Sequence, residues 1–215
     1  MSARPILFNG AMVRAILAGA KTQTRRLVKP QPPEGADPRW TWCVSSTNRD
    51  DVGAFHHGVI EPDGNSFTDR GRERQTAYRC PFGAPGDDLW VRETWAEHEP
   101  DDVQGTRTYY RADHADGEVQ VRPGMFLRWT PSIHMPRWAS RLTLRVTSVR
   151  VERLHAITED DARAEGVLTV DGLLSAMTPR ERFACLWREI NGGRASWDAN
   201  PWVWVVSFKR DEVFR

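Results

Sequence analysis

The chain has 215 residues, 40% hydrophobic and 27% charged, the balance of a globular protein long enough for one sizeable core. It contains no run of about 18 apolar residues, which excludes a helix crossing a membrane, and no charged-then-apolar leader, so secretion is not expected. With 30 basic and 29 acidic residues the net charge is +1, which excludes a surface coated with positive charge for duplex DNA.

The first predicted element lies between Asn9 and Gly19. Met12, Val13, Ile16 and Leu17 recur there at helical spacing, Asn9 suits an N-cap, and Gly19 stands where a left-handed residue closes a helix. Thr22, Thr24, Leu27 and Val28 then favour an extended chain, so Lys21 is expected at a helix-to-strand junction. Residues three apart on a regular strand face opposite ways. Lys21 and Thr24 can share a site if the chain bends between them.

After Pro30 the composition changes. Residues 31–38 read as a loop, and 39–79 as an insertion of hairpins, with Trp40, Trp42, Val44, Phe55 and Val59 as strand material and Pro62-Asp63-Gly64-Asn65 as a turn. Pro85-Gly86-Asp87 leads into a strand pattern from Leu89 to Thr94, with Asp87 expected to bond its own turn. Glu93, between Val91 and Trp95, faces either the interior or water. A second polar insertion, 96–124, holds a short strand at Tyr109-Tyr110.

Pro131 and Pro136 exclude a regular element through 126–141. Arginines interleave there with Trp129, His134 and Trp138, which suits a loop that stacks a base and holds a phosphate, Arg137 included. The structural alternative is a loop pinned by its tryptophans. From Val119 to Val151 the charged residues are Arg122, Arg128, Arg137, Arg141, Arg145 and Arg150, with no acid among them, a run suited to a phosphate-bearing partner or to a solvated strand face. Most of the ten tryptophans are expected in the core.

Leu142 to Val146 alternates as a strand, and the apolar phase slips at Thr147-Ser148, predicting a bulge. Thr158 caps a short helix with Glu159, Asp160 and Asp161 in its first turn and Gly166 behind it. Thr178-Pro179-Arg180-Glu181 is a capping box opening a second helix, whose buried face is predicted to be Phe183, Leu186, Trp187 and Ile190. Trp202 to Phe208 reads as a buried strand. Glu165 ends the first of these helices, at the negative end of its dipole, where ionisation is disfavoured. If the residue is partly buried, its pKa should rise toward the range useful for proton transfer.

Gly19-Ala20-Lys21-Thr22-Gln23-Thr24-Arg25-Arg26 resembles the G-x-K-x-x-T-x-R signature of ASCH domains, small β-barrels related to the PUA fold of RNA-modifying proteins. The frame from Arg4-Pro5-Ile6-Leu7-Phe8 to Lys29-Pro30-Gln31-Pro32 is similar to ASCH proteins of phages and prophages. Gly86-Asp87 looks like the turn that opens a strand in these barrels. The resemblance covers residues 4–32, 80–95 and 126–208. It implies an α+β fold: one PUA-like (ASCH) β-barrel domain over 1–215 with flanking short helices and inserted hairpins at about 31–79 and 96–124.

The small bacterial ASCH amidohydrolases remove acetyl from N(4)-acetylcytidine with a lysine, a threonine and a glutamate. Carried across residue by residue, the resemblance implies Lys21, Thr24 and Glu165 as catalytic. Thr24 would be the nucleophile, Lys21 the base and Glu165 the proton carrier to the leaving amine. Burial would lower the pKa of Lys21, and Arg25 or Arg26 would push it the same way. Arg26, Arg25, Glu93, Trp129, His134, Arg137 and Trp138 are the candidate substrate contacts. The spacing between Thr24 and Glu165 is far longer than in the small enzymes, which bears on substrate size and entrance shape.

The expected activity is therefore metal-independent removal of an acyl group from the exocyclic amine of a modified cytosine nucleoside, with no cofactor. A non-catalytic RNA- or DNA-binding module and an ASCH-type ribonuclease are the alternatives. The expected partner is a modified nucleoside or a nucleic acid, with no membrane. Cys43, His56, His57 and Cys80 could supply four zinc ligands, but no C-x-x-C pair anchors them and the spacings are loose, and three scattered cysteines fit reduced thiols in a cytoplasmic protein. Oligomeric state is left open, with a monomer favoured.

Overall fold

The computed structural model describes residues 3–32, 40–42, 54–57, 78–99, 105–114, 118–167, 176–192 and 196–211, with backbone alone at 40–42, 56 and 57. In chain order these give β1 (Ala3–Leu7), α1 (Gly10–Leu17), β2 (Gln23–Leu27), β3 (Trp40–Trp42), β4 (Phe55–His57), β5 (Asp88–Arg92) and β6 (Trp95–His98). There follow β7 (Arg107–Tyr110), β8 (Gln120–Arg122), β9 (Met125–Phe126), β10 (Thr143–Arg153), α2 (Glu159–Ala164), α3 (Pro179–Asn191) and β11 (Trp202–Arg210). Five strands form one mixed sheet in the order β1-β5-β10-β11-β2, with β1 parallel to β5 and the other pairs antiparallel. The hairpins β3–β4, β6–β7 and β8–β9 stand outside it.

β11 lies inside the sheet between β10 and β2, and its two faces bury into different layers. Trp202, Trp204, Val206 and Phe208 join the main core with Ile6, Phe8, Leu89, Val91 and Leu144, while Val203 and Val205 join α2 and α3 through Ala162, Phe183 and Trp187. A strand covered on both faces must be apolar at every position, which is why Trp202 to Val206 is a continuous run rather than an alternating one. The bulge falls between Val146 and Ser148 as the phase slip predicts. Asp87 accepts from the backbone of Ala84 at 3.2 Å, the turn role expected of it.

The barrel expectation needs correction. Among the described residues the sheet is open, with β1 and β2 as its edges. The sheet curls enough for Arg26 of β2 to donate from Nη2 to the carbonyl of Leu7 at the end of β1, at 2.7 Å. The Arg26 guanidinium lies over the Phe8 ring, 5.3 Å from its centre. A side-chain contact, not a ladder of backbone bonds, spans the gap. The helical overlay is α+β, with the helices few and short.

The helix signals hold in detail. The Asn9 side chain accepts from Met12 N at 2.9 Å, and Gly19 takes φ +73°. Thr158 and Thr178 each form a full capping box, with Asp161 and Glu181. One expectation fails at the end of α3: Ile190 is 48% exposed, because it faces an open cavity instead of the core. Val44, Val59 and the turn at 62–65 lie outside the described residues.

Candidate functional site

The octet is pinned by the elements on either side. Ala20 N and Lys21 N both donate to Ala15 O, at 2.9 and 3.0 Å, which folds the chain under the end of α1. Thr22 N then donates to Ala164 O of α2 at 2.8 Å, and Phe208 N donates to Thr22 O at 2.8 Å. Regular pairing of β2 begins at Gln23, so the chain does break its strand regularity between Lys21 and Thr24. Lys21 instead pairs with Glu165 as an isolated bridge.

Gly166 makes that approach possible. Its φ is +77°, and a Cβ placed on it would sit 2.7 Å from Lys21 Cβ and 2.9 Å from Ala15 Cβ. The glycine that ends α2 therefore also lets the α2 terminus pack onto the octet.

Lys21 is 2% exposed and Glu165 4% exposed. Lys21 Nζ donates to Glu165 Oε2 at 3.0 Å, to Glu165 O at 2.8 Å and to Gln23 O at 2.9 Å. Arg25 Nη1 donates to Glu165 Oε1 at 3.2 Å, so each carboxylate oxygen meets a cation. The helix end that should disfavour charge on Glu165 is thus met by two positive groups. Arg25 continues through Nη2 to Glu152 at 2.5 Å and Asp161 at 3.1 Å. Asp161 also accepts from Gln23 at 3.1 Å and from Arg150 at 2.9 Å. Its carboxyl is held down to about 2: burial works against this, but the Gln23 hydrogen bond and the nearby arginines outweigh it.

Burial is the largest influence on Lys21 and lowers its pKa. Glu165 opposes that, and Arg26 and Arg25 add to it. The sequence expectation for Lys21 named those same causes apart from the opposing carboxylate.

A cavity of about 310 Å³ lies along the β2 edge. Residues of both faces of β2, Thr24 and Arg26 on one and Arg25 and Leu27 on the other, line it, as they can only where the space runs beside an unpaired edge. Glu165 lines it too, whereas Lys21 stands behind Glu165. Phe183, Leu186, Trp187 and Ile190 of α3 form one wall, with Met12, Pro81, Phe82 and Trp204 across from them. The sequence singled out none of these wall residues as functional. The helical face of α3 was the available signal, and its exposed Ile190 belongs to this wall.

The remaining candidates lie elsewhere. Glu93 is buried and takes both ends of a bidentate pair with Arg141, at 2.9 and 3.0 Å, and burial raises its pKa. Arg141 also meets Asp113 at 2.6 Å and lies over the Tyr110 ring at 4.0 Å. Glu93 therefore ties the β6–β7 region to the sheet and does not line the cavity. Trp129, His134, Arg137 and Trp138 also do not line it. Trp138 stacks edge-on with Trp95, Arg137 lies over Trp90, and Trp129 is beside His114. Trp138 remains 61% exposed, and Arg137 and His134 are exposed beside it. The His155 ring meets the carbonyl of Trp197 at 2.8 Å.

The thiol of Cys80 is buried, and burial raises its pKa to about 11. Cys43 and the side chains of His56 and His57 lie outside the described residues, so the four-ligand zinc reading does too. No described helix is long and apolar enough to cross a membrane. Comparisons with protein-family models, curated proteins and solved structures return no match.

Proposed function

We propose that this chain is a PUA-like ASCH protein that hydrolyses the amide between an acyl group and the exocyclic amine of a modified cytosine nucleoside. The observation that carries the reading is the buried contact between Lys21 and Glu165, 144 residues apart in sequence, on the rim of a cavity that Thr24 also lines. A lysine and a glutamate in direct contact out of water can share and pass a proton, because burial lowers the proton affinity of the lysine and the carboxylate beside it restores part of it.

In this reading the Thr24 hydroxyl attacks the acyl carbon, and an ester bond to threonine forms as the carbon–nitrogen bond breaks. The hydroxyl proton enters the Lys21–Glu165 pair. Glu165, the member of the pair on the cavity wall, delivers a proton to the leaving amine. Water then attacks the acyl-threonine; the pair takes its proton and returns one to the threonine oxygen, releasing the acid. Arg25, fixed by Glu152 and Asp161, holds Glu165 from its far side. The chemistry uses these side chains and no cofactor.

The exposed group of Trp138, Arg137 and His134 favours a second reading, a loop that stacks bases of single-stranded nucleic acid. One experiment separates the two. Chelator-treated protein is assayed on N(4)-acetylcytidine, following cytidine release, with Lys21→Ala, Thr24→Ala and Glu165→Gln beside wild type. The amidohydrolase reading expects wild-type turnover and losses of about 100-fold or more in kcat/KM for each variant, with circular dichroism unchanged. Absent turnover in wild type, with RNA binding that Trp138→Ala removes, gives the second reading instead.

A further inference from the structure

Arg25 and Arg26 are neighbours that differ in what neutralises them. Arg25 has Glu165 at one end of its guanidinium and Glu152 and Asp161 at the other. Arg26 reaches no carboxylate within ion-pair distance among the described residues. Its Nη2 is taken by a backbone carbonyl, Phe8 covers one face, Nε is buried without an acceptor, and Nη1 makes no hydrogen bond with a described residue. Burial pulls the Arg26 pKa down, with Glu165 opposing from a distance. A half-buried guanidinium that meets no carboxylate among the described residues is poorly compensated, and an anionic ligand would supply the missing charge. Lys29, exposed, is a third cation in the lining beside Arg25 and Arg26, while Phe82, Leu186, Trp187 and Trp204 keep the walls apolar.

We infer that the cavity binds a small carboxylate with an apolar body, with Arg26 as its counter-ion and the α3 wall around the body. The place of this contact in the reaction rests on the proposed amide hydrolysis: the ligand is the released acid, and the same Nη1 edge meets the anionic oxygen formed when Thr24 attacks. The binding itself is measurable without turnover.

The protein is titrated with benzoate, with benzamide as its neutral counterpart, and with inorganic phosphate. Binding is followed by tryptophan fluorescence, since Trp187 and Trp204 line the cavity, and by arginine side-chain resonances. Benzoate is expected to bind about tenfold or more tighter than either comparator, and Arg26→Gln to lose about tenfold or more of that affinity. Benzamide or phosphate binding as tightly as benzoate, or unchanged benzoate affinity in a folded Arg26→Gln, overturns the inference. If Arg26→Gln does not fold, the benzoate-to-benzamide ratio of the wild type decides. Benzoate selectivity without turnover of N(4)-acetylcytidine sinks the enzymatic reading and keeps the carboxylate site; turnover without selectivity does the reverse.

Discussion

Lys21 spends all three of its ammonium hydrogens on acceptors from the octet and from Glu165. That saturation holds the lysine against the glutamate and leaves Glu165 and Thr24 as the members of the proposed triad that line the cavity. The residue that permits the packing is Gly166. In Gly166→Ala the new methyl meets Lys21 and Ala15 at distances no Cβ tolerates, on a backbone at φ +77°. We expect a loss of about 2–3 kcal/mol in urea unfolding, together with reduced turnover, because relief of the clash moves Glu165 away from Lys21. Unchanged stability would mean that the α2 terminus is not packed on the octet as described. The sequence pointed to Gly166 as a helix stop. Its second role depends on Lys21 and Ala15 arriving from far along the chain, and a local pattern carries no trace of that.

At the scale of the element, α2 is six residues long and carries two of the groups that matter, Asp161 inside it and Glu165 as its C-cap. A helix this short has little stability of its own, so its caps and its tertiary contacts hold it. Asp161 serves both: its N–H donates to the Thr158 hydroxyl at 3.1 Å, and its carboxylate meets Arg25 and Arg150. Thr158→Ala should cost about 1 kcal/mol in chemical unfolding and lower turnover, and Thr158→Ser should restore both. Normal turnover in a destabilised Thr158→Ala would show that the position of Glu165 does not depend on the cap. The caps were legible because they are local, set by a hydroxyl and an acid three residues apart. The network that Asp161 joins was not, because Gln23, Arg25 and Arg150 come from other strands.

On the scale of the whole molecule, the arginine run at 119–151 changes meaning once folded. Arg141 is matched by Glu93 and Asp113, Arg145 by Asp88 and Asp211, and Arg150 by Glu152 and Asp161, all acids from other segments or from just beyond the run. What looked like a phosphate track is in part the inner surface of a charged lattice holding the sheet to its insertions. Glu93 is the buried end of that lattice. Glu93→Ala should cost about 3 kcal/mol in urea unfolding, since it leaves Arg141 with Asp113 alone and empties a fully buried side-chain position. A loss below about 1 kcal/mol would show that Asp113 suffices.

Amino-acid order by itself determined the elements: the capped helices around residues 10–17, 159–164 and 179–191, the bulge at 147–148 and the two-faced strand at 202–208. Each is written in spacing over a few residues, where backbone geometry and local side-chain bonds decide the outcome. The lysine, threonine and glutamate were candidates through the resemblance of the octet and of the helix at 159–164, and the fold brings Lys21 and Glu165 into contact. Only the tertiary structure decided that, among the described residues, the sheet is open, Glu93 and the Trp138 loop do not line the cavity, and Arg26 rather than Arg25 meets no carboxylate. Those outcomes depend on which distant side chains reach one another, and burial sets the strength of every charge pair only after the chain has closed around it.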